Sequence, residues 1–198
     1  MRLFVAVDLA DPIRERIQQF MEGIRGFAPD VRWVKPESLH ITLKFIGEKT
    51  PQMAESITSS LRDVRAEPMD LEFRGYGFFP TARAPRVFWV GIEAGPQLNS
   101  LAAAVDANLG AIGIPKEDHK FSPHLTLARA GKSAAPRWQQ GDGPNSKFKR
   151  LQDKLGSLSP PEFGTMTARE FFLFESKLSP KGSTYIKLET FALSCRGP

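Results

Sequence analysis

The chain has 198 residues, 41% of them hydrophobic and 25% charged, a balance that is typical of a globular protein and excludes a largely disordered one. Its opening apolar run is too short for a secretory signal, and no stretch approaches the roughly 18 apolar residues of a membrane span, so we expect a cytoplasmic protein without membrane contact. The net charge of +5 favours a polyanionic partner such as nucleic acid. The single cysteine, Cys195, excludes an intramolecular disulfide and is interpreted as an inert thiol.

Hydrophobic periodicity and turn residues predict strands and helices that alternate along the chain. The predicted strands lie at 3–9, 31–34, 39–46, 69–79, 86–93, 121–128, 167–176 and 184–194, and the predicted helices at 12–26, 51–65 and 96–112. Residues 131–164 are rich in Gly, Pro, Ser and Lys and are predicted to form a mobile basic excursion, with a short helix at 147–155.

One short motif occurs twice, as His40-Ile41-Thr42-Leu43 and as His124-Leu125-Thr126-Leu127. Each copy lies in an apolar run that predicts a strand, and alternation then places the histidine and the threonine on one face. Two such strands side by side would bring two imidazoles and two hydroxyls together, which suits a phosphate and a reaction that needs an acid and a base.

Strict alternation also places Lys44 on the face of His40, where it is a candidate ligand for the phosphate. The same rule places Arg129 on the face opposite His124, so Arg129 reaches a phosphate only if its strand ends or bulges there. Candidate residues for stacking on a base are the aromatic side chains near the motifs, namely Phe45, Phe121, Trp33 and Tyr185.

A metal site is not expected, because neither motif supplies a third ligand or an adjacent carboxylate, and His119 is interpreted as a surface residue. Because a motif lies near the middle of each half, the predicted fold is a duplicated α+β unit, with two antiparallel sheets facing across a central cleft and helices outside. We expect residues 1–198 to form a single domain of two intertwined, pseudo-symmetric lobes, and we expect a monomer.

Residues 38–48, Ser38-Leu39-His40-Ile41-Thr42-Leu43-Lys44-Phe45-Ile46-Gly47-Glu48, and residues 122–129, Ser122-Pro123-His124-Leu125-Thr126-Leu127-Ala128-Arg129, resemble the paired His-x-Thr signatures of the 2H phosphoesterases. The branch they resemble is that of the bacterial and archaeal RNA 2',3'-cyclic phosphodiesterases, also called LigT-like 2'-5' RNA ligases. Segments 2–6 and 176–185 are similar to this branch as well. The chain departs from it at 118–122, where an arginine is common.

The resemblance implies hydrolysis of RNA 2',3'-cyclic phosphate ends to 2'-phosphomonoesters, without metal or cofactor. It implies that His40 is the proton donor and His124 the proton acceptor, and it makes RNA ends the expected partner. Thr42 and Thr126 would donate hydrogen bonds to the phosphate, and Arg129, Lys44, Phe45, Phe121 and Tyr185 are the candidate substrate-binding residues. Two alternatives stay open: 2'-5' ligation or 2',5'-phosphodiesterase activity, and a non-catalytic module that binds RNA ends.

Overall fold

The computed structural model describes residues 1–131, 146–179 and 182–194. Within these ranges the chain forms four α-helices, α1 Asp11–Ile24, α2 Pro51–Arg62, α3 Pro96–Ala111 and α4 Lys149–Gly156. It also forms nine strands, β1 Arg2–Asp8, β2 Val31–Trp33, β3 His40–Glu48, β4 Met69–Phe79, β5 Val87–Ala94, β6 His124–Ala130, β7 Glu162–Ala168, β8 Glu170–Ser179 and β9 Gly182–Ala192. None of the described helices has the length and apolar character needed to cross a membrane.

The strands form two antiparallel sheets, which confirms the predicted fold class. The first sheet has the order β3-β1-β8-β9 and the second the order β2-β6-β5-β4-β7. Strand β3 carries the first motif and strand β6 the second, and these two strands contact each other. The sheets therefore meet at the two motifs.

Each half of the chain contributes strands to both sheets. Strand β8, from the end of the chain, pairs with the N-terminal β1 and with β9, while β2, from the beginning, pairs with β6. Neither sheet can form from one half alone, because each needs pairing partners from the other.

The main core lies between the sheets and the helices on their outer faces. Helix α1 buries a stripe of residues at helical spacing, and α3 buries the stripe expected from its sequence, Leu98, Leu101, Ala102, Val105 and Leu109. Burial of each leucine or valine side chain in such a stripe stabilises the fold by about 1.5–3 kcal/mol. A second, smaller cluster on the cleft face of the first sheet consists of Phe4, Ala6, Phe172 and Phe174.

One expectation about the C-terminal part was wrong. The predicted strand at 167–176 is two strands, β7 and β8, which join different sheets and are separated by Arg169 alone. Periodicity along the chain could not show this, because it does not report which partner a strand pairs with.

The short helix predicted at 147–155, within the segment 131–164, is confirmed. Residues 149–156 form α4, whose Leu151 and Leu155 are buried in the main core, and β7 begins at Glu162. The two leucines, four residues apart on one face of α4, hold this otherwise polar segment against the main core. Residues 132–145 lie outside the described ranges, as does Cys195.

Candidate active site

Both motif strands bulge immediately after their threonine. In β3, Thr42 pairs with Ala6 and Lys44 with Val5, which leaves Leu43 as the extra residue. In β6, Thr126 pairs with Trp89 and Ala128 with Phe88, which leaves Leu127 as the extra residue. An extra residue inverts the alternation beyond it, so the fifth residue after each histidine returns to the cleft face. Those residues are Phe45 and Arg129.

The bulge makes the prediction for Lys44 wrong. Lys44 is 2% exposed, and its Nζ donates to the Asp106 carboxylate and, at 2.8 Å, to the Pro115 carbonyl oxygen. The same Asp106 oxygen accepts the Glu117 amide at 3.2 Å. Burial raises the pKa of Asp106, but the hydrogen bond from Lys44, with that from Glu117 and the nearby positive charges, leaves its pKa below the ordinary value. Lys44 thus ties β3 to α3 and to the segment before the second motif.

The two histidines are held in the same way. His40 Nδ1 lies 2.8 Å from the Ser38 carbonyl oxygen, and His124 Nδ1 lies 2.8 Å from the Ser122 carbonyl oxygen. A carbonyl oxygen only accepts, so Nδ1 carries the proton in both rings. The position left to exchange a proton with a ligand is Nε2 in each case.

Aromatic rings enclose both imidazoles. The His40 ring centroid lies 4.8 Å from that of Phe4 and 5.1 Å from that of Tyr185, which meets it edge-on. The His124 ring lies 5.0 Å from Phe79 and 6.4 Å from Trp89. These contacts fix the ring positions and remove solvent from them.

The pKa of each histidine is lower than its ordinary value, and burial is the main cause. The charge of Arg129 lowers the pKa of both imidazoles further, although the hydrogen bonds to Ser38 and Ser122 oppose the shift. Arg129 therefore lies close enough to act on both histidines.

Among the described residues, a carboxylate acts on His40 but none acts on His124. Asp8 pairs directly with His40 across β1 and β3, and its charge raises the pKa of His40 against the effect of burial. Asp8 accepts from Arg14 Nη2 at 2.5 Å, from the Leu9 amide at 2.8 Å and from Lys187 Nζ at 2.6 Å. Burial raises the pKa of Asp8, but these contacts, led by the one from Lys187, hold it below its ordinary value. Asp8 is thus charged, and its charge partly offsets the effect of burial on His40.

The cleft also collects most of the other predicted residues. Thr42 is exposed and Thr126 half-buried on the histidine faces of their strands, and Arg129 Nη2 lies 3.5 Å from Thr126 Oγ1. Burial lowers the pKa of Arg129, and the Tyr185 hydroxyl opposes this shift from the first sheet. Tyr185, on the first sheet, therefore lies near Arg129, on the second.

Of the other aromatic candidates for base stacking, one is exposed at the cleft surface and two pack against the main core. Phe45 is 49% exposed, with the Arg2 guanidinium 5.1 Å above its ring. Phe121 is half-buried and packs against the main core. Trp33 is not a stacking residue, because it packs against the same core and its Nε1 donates to the Ala28 carbonyl oxygen at 3.0 Å.

Sequence reasoning missed Phe79, Trp89 and Asp8. Nothing near Phe79 or Trp89 in the sequence marks them, since the chain has 15 phenylalanines and three tryptophans, most of them suited to a core. Asp8 has the one available signal, because a charged residue that ends an apolar strand is a candidate for a polar cleft. Among the described residues, no three His, Cys, Asp or Glu side chains form a group that could hold a metal ion.

Two antiparallel sheets that each bring a His-x-Thr strand to one cleft define the 2H class of phosphoesterases. The family model described as LigT like Phosphoesterase matches residues 7–89 and again 90–185, and the chain belongs to this family. The two matched segments each contain one motif, in agreement with the repeated strand geometry.

Relatives and solved structures cover nearly the whole chain. The RNA 2',3'-cyclic phosphodiesterase of Archaeoglobus fulgidus is 36% identical over 191 residues, which are 96% of this chain and 99% of the relative. That of Thermus thermophilus is 36% identical, covering 98% of this chain and 90% of the relative. The crystal structure of Escherichia coli LigT complexed with 3'-AMP has a TM-score of 0.76 at 26% identity, covering 98% of both chains. That of the Thermus thermophilus protein TT0787 has a TM-score of 0.72 at 32% identity, again covering 98% of both.

Proposed function

We propose that this protein hydrolyses RNA 2',3'-cyclic phosphate ends to 2'-phosphomonoesters by acid–base catalysis with two histidines. The observation that carries the proposal is the pair of imidazoles anchored through Nδ1, with the Arg129 guanidinium acting on both. The names of the bacterial and archaeal relatives, RNA 2',3'-cyclic phosphodiesterases, support the same substrate.

The proposed reaction is an in-line displacement at phosphorus. His124 Nε2 takes a proton from the attacking water as the water oxygen bonds to phosphorus, and the bond from phosphorus to O3' breaks as His40 Nε2 gives O3' a proton. The 2'-phosphomonoester then leaves with a free 3'-hydroxyl. A second proton transfer between the two imidazoles and solvent restores both histidines.

The charges around the histidines support this division of roles. An acid must be protonated before the reaction, and His40 has the Asp8 carboxylate beside it. A base must be neutral, and the charge that acts on His124 is the positive one of Arg129. The Asp8 carboxylate therefore favours imidazolium at His40 relative to His124, although burial, Arg129 and Arg14 hold the pKa of His40 below its ordinary value.

The remaining cleft residues are proposed to hold the substrate. Thr42 and Thr126 donate hydroxyl hydrogen bonds, and Arg129 donates from its guanidinium, to the nonbridging oxygens where negative charge builds. Tyr185 and Phe79 each place a ring edge against an imidazole and offer surfaces for the terminal nucleoside. These residues all belong to one chain, which supports our further proposal of a monomer. We also propose that it acts in the cytoplasm.

The test is turnover of an oligoribonucleotide ending in a 2',3'-cyclic phosphate, in the presence of EDTA, with separation of 2'- from 3'-phosphate products. Wild type is expected to make the 2'-phosphate. The variants His40→Asn and His124→Asn are expected to fall by about 10²–10⁴-fold, the usual contribution of a general acid or base. Asparagine keeps a donor for the Ser38 or Ser122 carbonyl, so the fold around each position is preserved. Tight binding without turnover by wild type would instead indicate a module that captures RNA ends, and a 3'-phosphate product would refute cleavage at O3'.

A further inference from the structure

Arg32 lies directly beside Arg129 on the cleft face of the second sheet. The two arginines are paired residues of the antiparallel strands β2 and β6, and both are exposed. Side chains at directly paired positions point to the same face, with Cβ atoms about 4.5–5.5 Å apart. Because the bulge at Leu127 turns Arg129 toward the cleft, its neighbour Arg32 faces the cleft as well.

This pairing is unfavourable unless an anion joins it. Like charges directly opposite each other destabilise a strand pair, and the charge of Arg32 contributes to lowering the pKa of Arg129, after burial. In the part of the chain that the structure describes, no carboxylate lies within 4.0 Å of either guanidinium. Arg14, whose charge also acts on His40, differs in this respect, because it pairs with Asp8.

The position of Arg32 indicates which anion it would meet. Arg129 acts on both imidazoles and is the arginine proposed to bind the reacting phosphate. Arg32 lies on β2, the edge strand next to β6 in the second sheet. Arg32 therefore lies one strand, about 4.8 Å, farther from the reacting centre than Arg129, where it can meet a second phosphate of the same substrate.

We propose that Arg32 binds the internucleotide phosphate immediately 5' of the terminal nucleotide, and so makes the enzyme prefer oligonucleotide ends over cyclic mononucleotides. The proposal rests on the proposed function, because it assumes that Arg129 holds the cyclic phosphate. A guanidinium matches the oxygens of a phosphate and retains its charge across the physiological pH range, as such a contact requires.

The test compares three substrates with the same terminal 2',3'-cyclic phosphate: a mononucleotide, a dinucleotide, and a dinucleotide whose internucleotide linkage is a neutral methylphosphonate. For wild type, we expect kcat/KM on the charged dinucleotide to exceed that on the methylphosphonate by about tenfold, the scale of one charge-assisted contact. Arg32→Gln should remove this difference and leave the mononucleotide rate within about twofold of wild type.

The matched control is Arg25→Gln, which removes an equal charge from an exposed arginine in the turn after α1. It should behave as wild type on all three substrates. The proposal is overturned if Arg32→Gln slows the mononucleotide and the dinucleotide equally, since both arginines would then hold one anion. It is also overturned if the difference between the two dinucleotides survives in Arg32→Gln.

Binding separates this proposal from the proposed function. The dissociation constants of the two 2'-phosphorylated dinucleotides, charged and methylphosphonate, report the same contact without turnover. Arg32→Gln should weaken binding of the charged dinucleotide only, and should make that binding less sensitive to salt than it is in wild type. That result would stand even if wild type hydrolysed none of the cyclic substrates, whereas equal weakening of both dinucleotides would refute the contact.

Discussion

Breaking the Lys44–Asp106 ion pair from either side should have unequal effects on stability. The Lys44 side chain is 1% exposed, whereas that of Asp106 is 24% exposed. Replacing Asp106 with Ala leaves a charged lysine buried without its counter-ion, which costs about 3–5 kcal/mol. Replacing Lys44 with Met leaves Asp106 able to reach water, so the cost is that of lost hydrogen bonds and an unsatisfied Pro115 carbonyl, about 1–3 kcal/mol.

The assay is urea unfolding of wild type, Lys44→Met, Asp106→Ala and the double variant Lys44→Met/Asp106→Leu. The double variant should be less destabilised than Asp106→Ala, because no buried charge remains. A typical domain has a free energy of unfolding of about 5–15 kcal/mol. This exceeds or matches the expected cost of Asp106→Ala, so most of this variant should be folded at low temperature. An Asp106→Ala variant that is no less stable than Lys44→Met would refute the reasoning.

The same variants test whether Lys44 binds substrate. Lys44→Met should keep kcat/KM on a 2',3'-cyclic phosphate within a few-fold of wild type, since its ammonium faces Asp106 and Pro115 rather than the cleft. A hundred-fold loss of activity in a variant that remains folded would restore the simple alternation and contradict the bulge.

Three further predictions concern the cleft. By NMR, the free protein should show both His40 and His124 titrating below the ordinary value of 6.5, because burial lowers each pKa. The folded state then binds fewer protons than the unfolded chain just below that pH, so stability should fall as the pH drops through 6.5. Arg129→Gln should raise both histidine pKa values and shift the pH–rate profile to higher pH. It should also lower kcat by about 10²–10³-fold. Gly77→Ala should destabilise by about 1–3 kcal/mol in urea, because an added Cβ overlaps the Trp89 indole beside His124.

Each of these has an outcome that contradicts it. Titration of either histidine at or above 6.5 would show that burial does not dominate its pKa. Unchanged histidine titrations in Arg129→Gln would separate that guanidinium from the two rings. For the glycine, the matched control is Gly23→Ala on α1, where an added Cβ meets nothing within 4 Å. This control should stabilise by about 0.5–1 kcal/mol, so equal effects of the two substitutions would refute the overlap with Trp89.

The sequence was enough to predict the two sheets and the four motif side chains. Alternation is a local property, and a motif repeated in two apolar strands predicts that both copies have the same geometry. The prediction that the two sheets face each other came from the repeated motif, because His40 and His124 can act on one ligand only if their strands meet. This part of the prediction rested on residues within a few positions of each other.

The bulges could not be predicted from the strands alone. Leu43 and Leu127 are ordinary strand residues, and no glycine or proline marks them as extra. Their consequence was large. The extra Leu43 directs Lys44 into the core, and the extra Leu127 directs Arg129 into the cleft. The comparison of the two motifs held a usable signal: Lys44 corresponds to Ala128, and an alanine at that position indicates an interior site.

The walls of the cleft depend on pairings between distant segments. Asp8 meets His40 only through the register of β1 on β3, and Phe79 and Trp89 reach His124 from β4 and β5. Register is set by the whole sheet and its turns, so periodicity within one strand does not reveal it.

The most direct test of the two histidine roles replaces the O3' leaving atom with sulfur in a 2',3'-cyclic substrate. A thiolate leaves without a proton, so the substitution removes the need for a general acid but not for a base. We expect His40→Asn to regain nearly the wild-type rate on this substrate, while His124→Asn remains slow. Rescue of His124→Asn instead would reverse the two roles, and rescue of neither would contradict proton donation by His40.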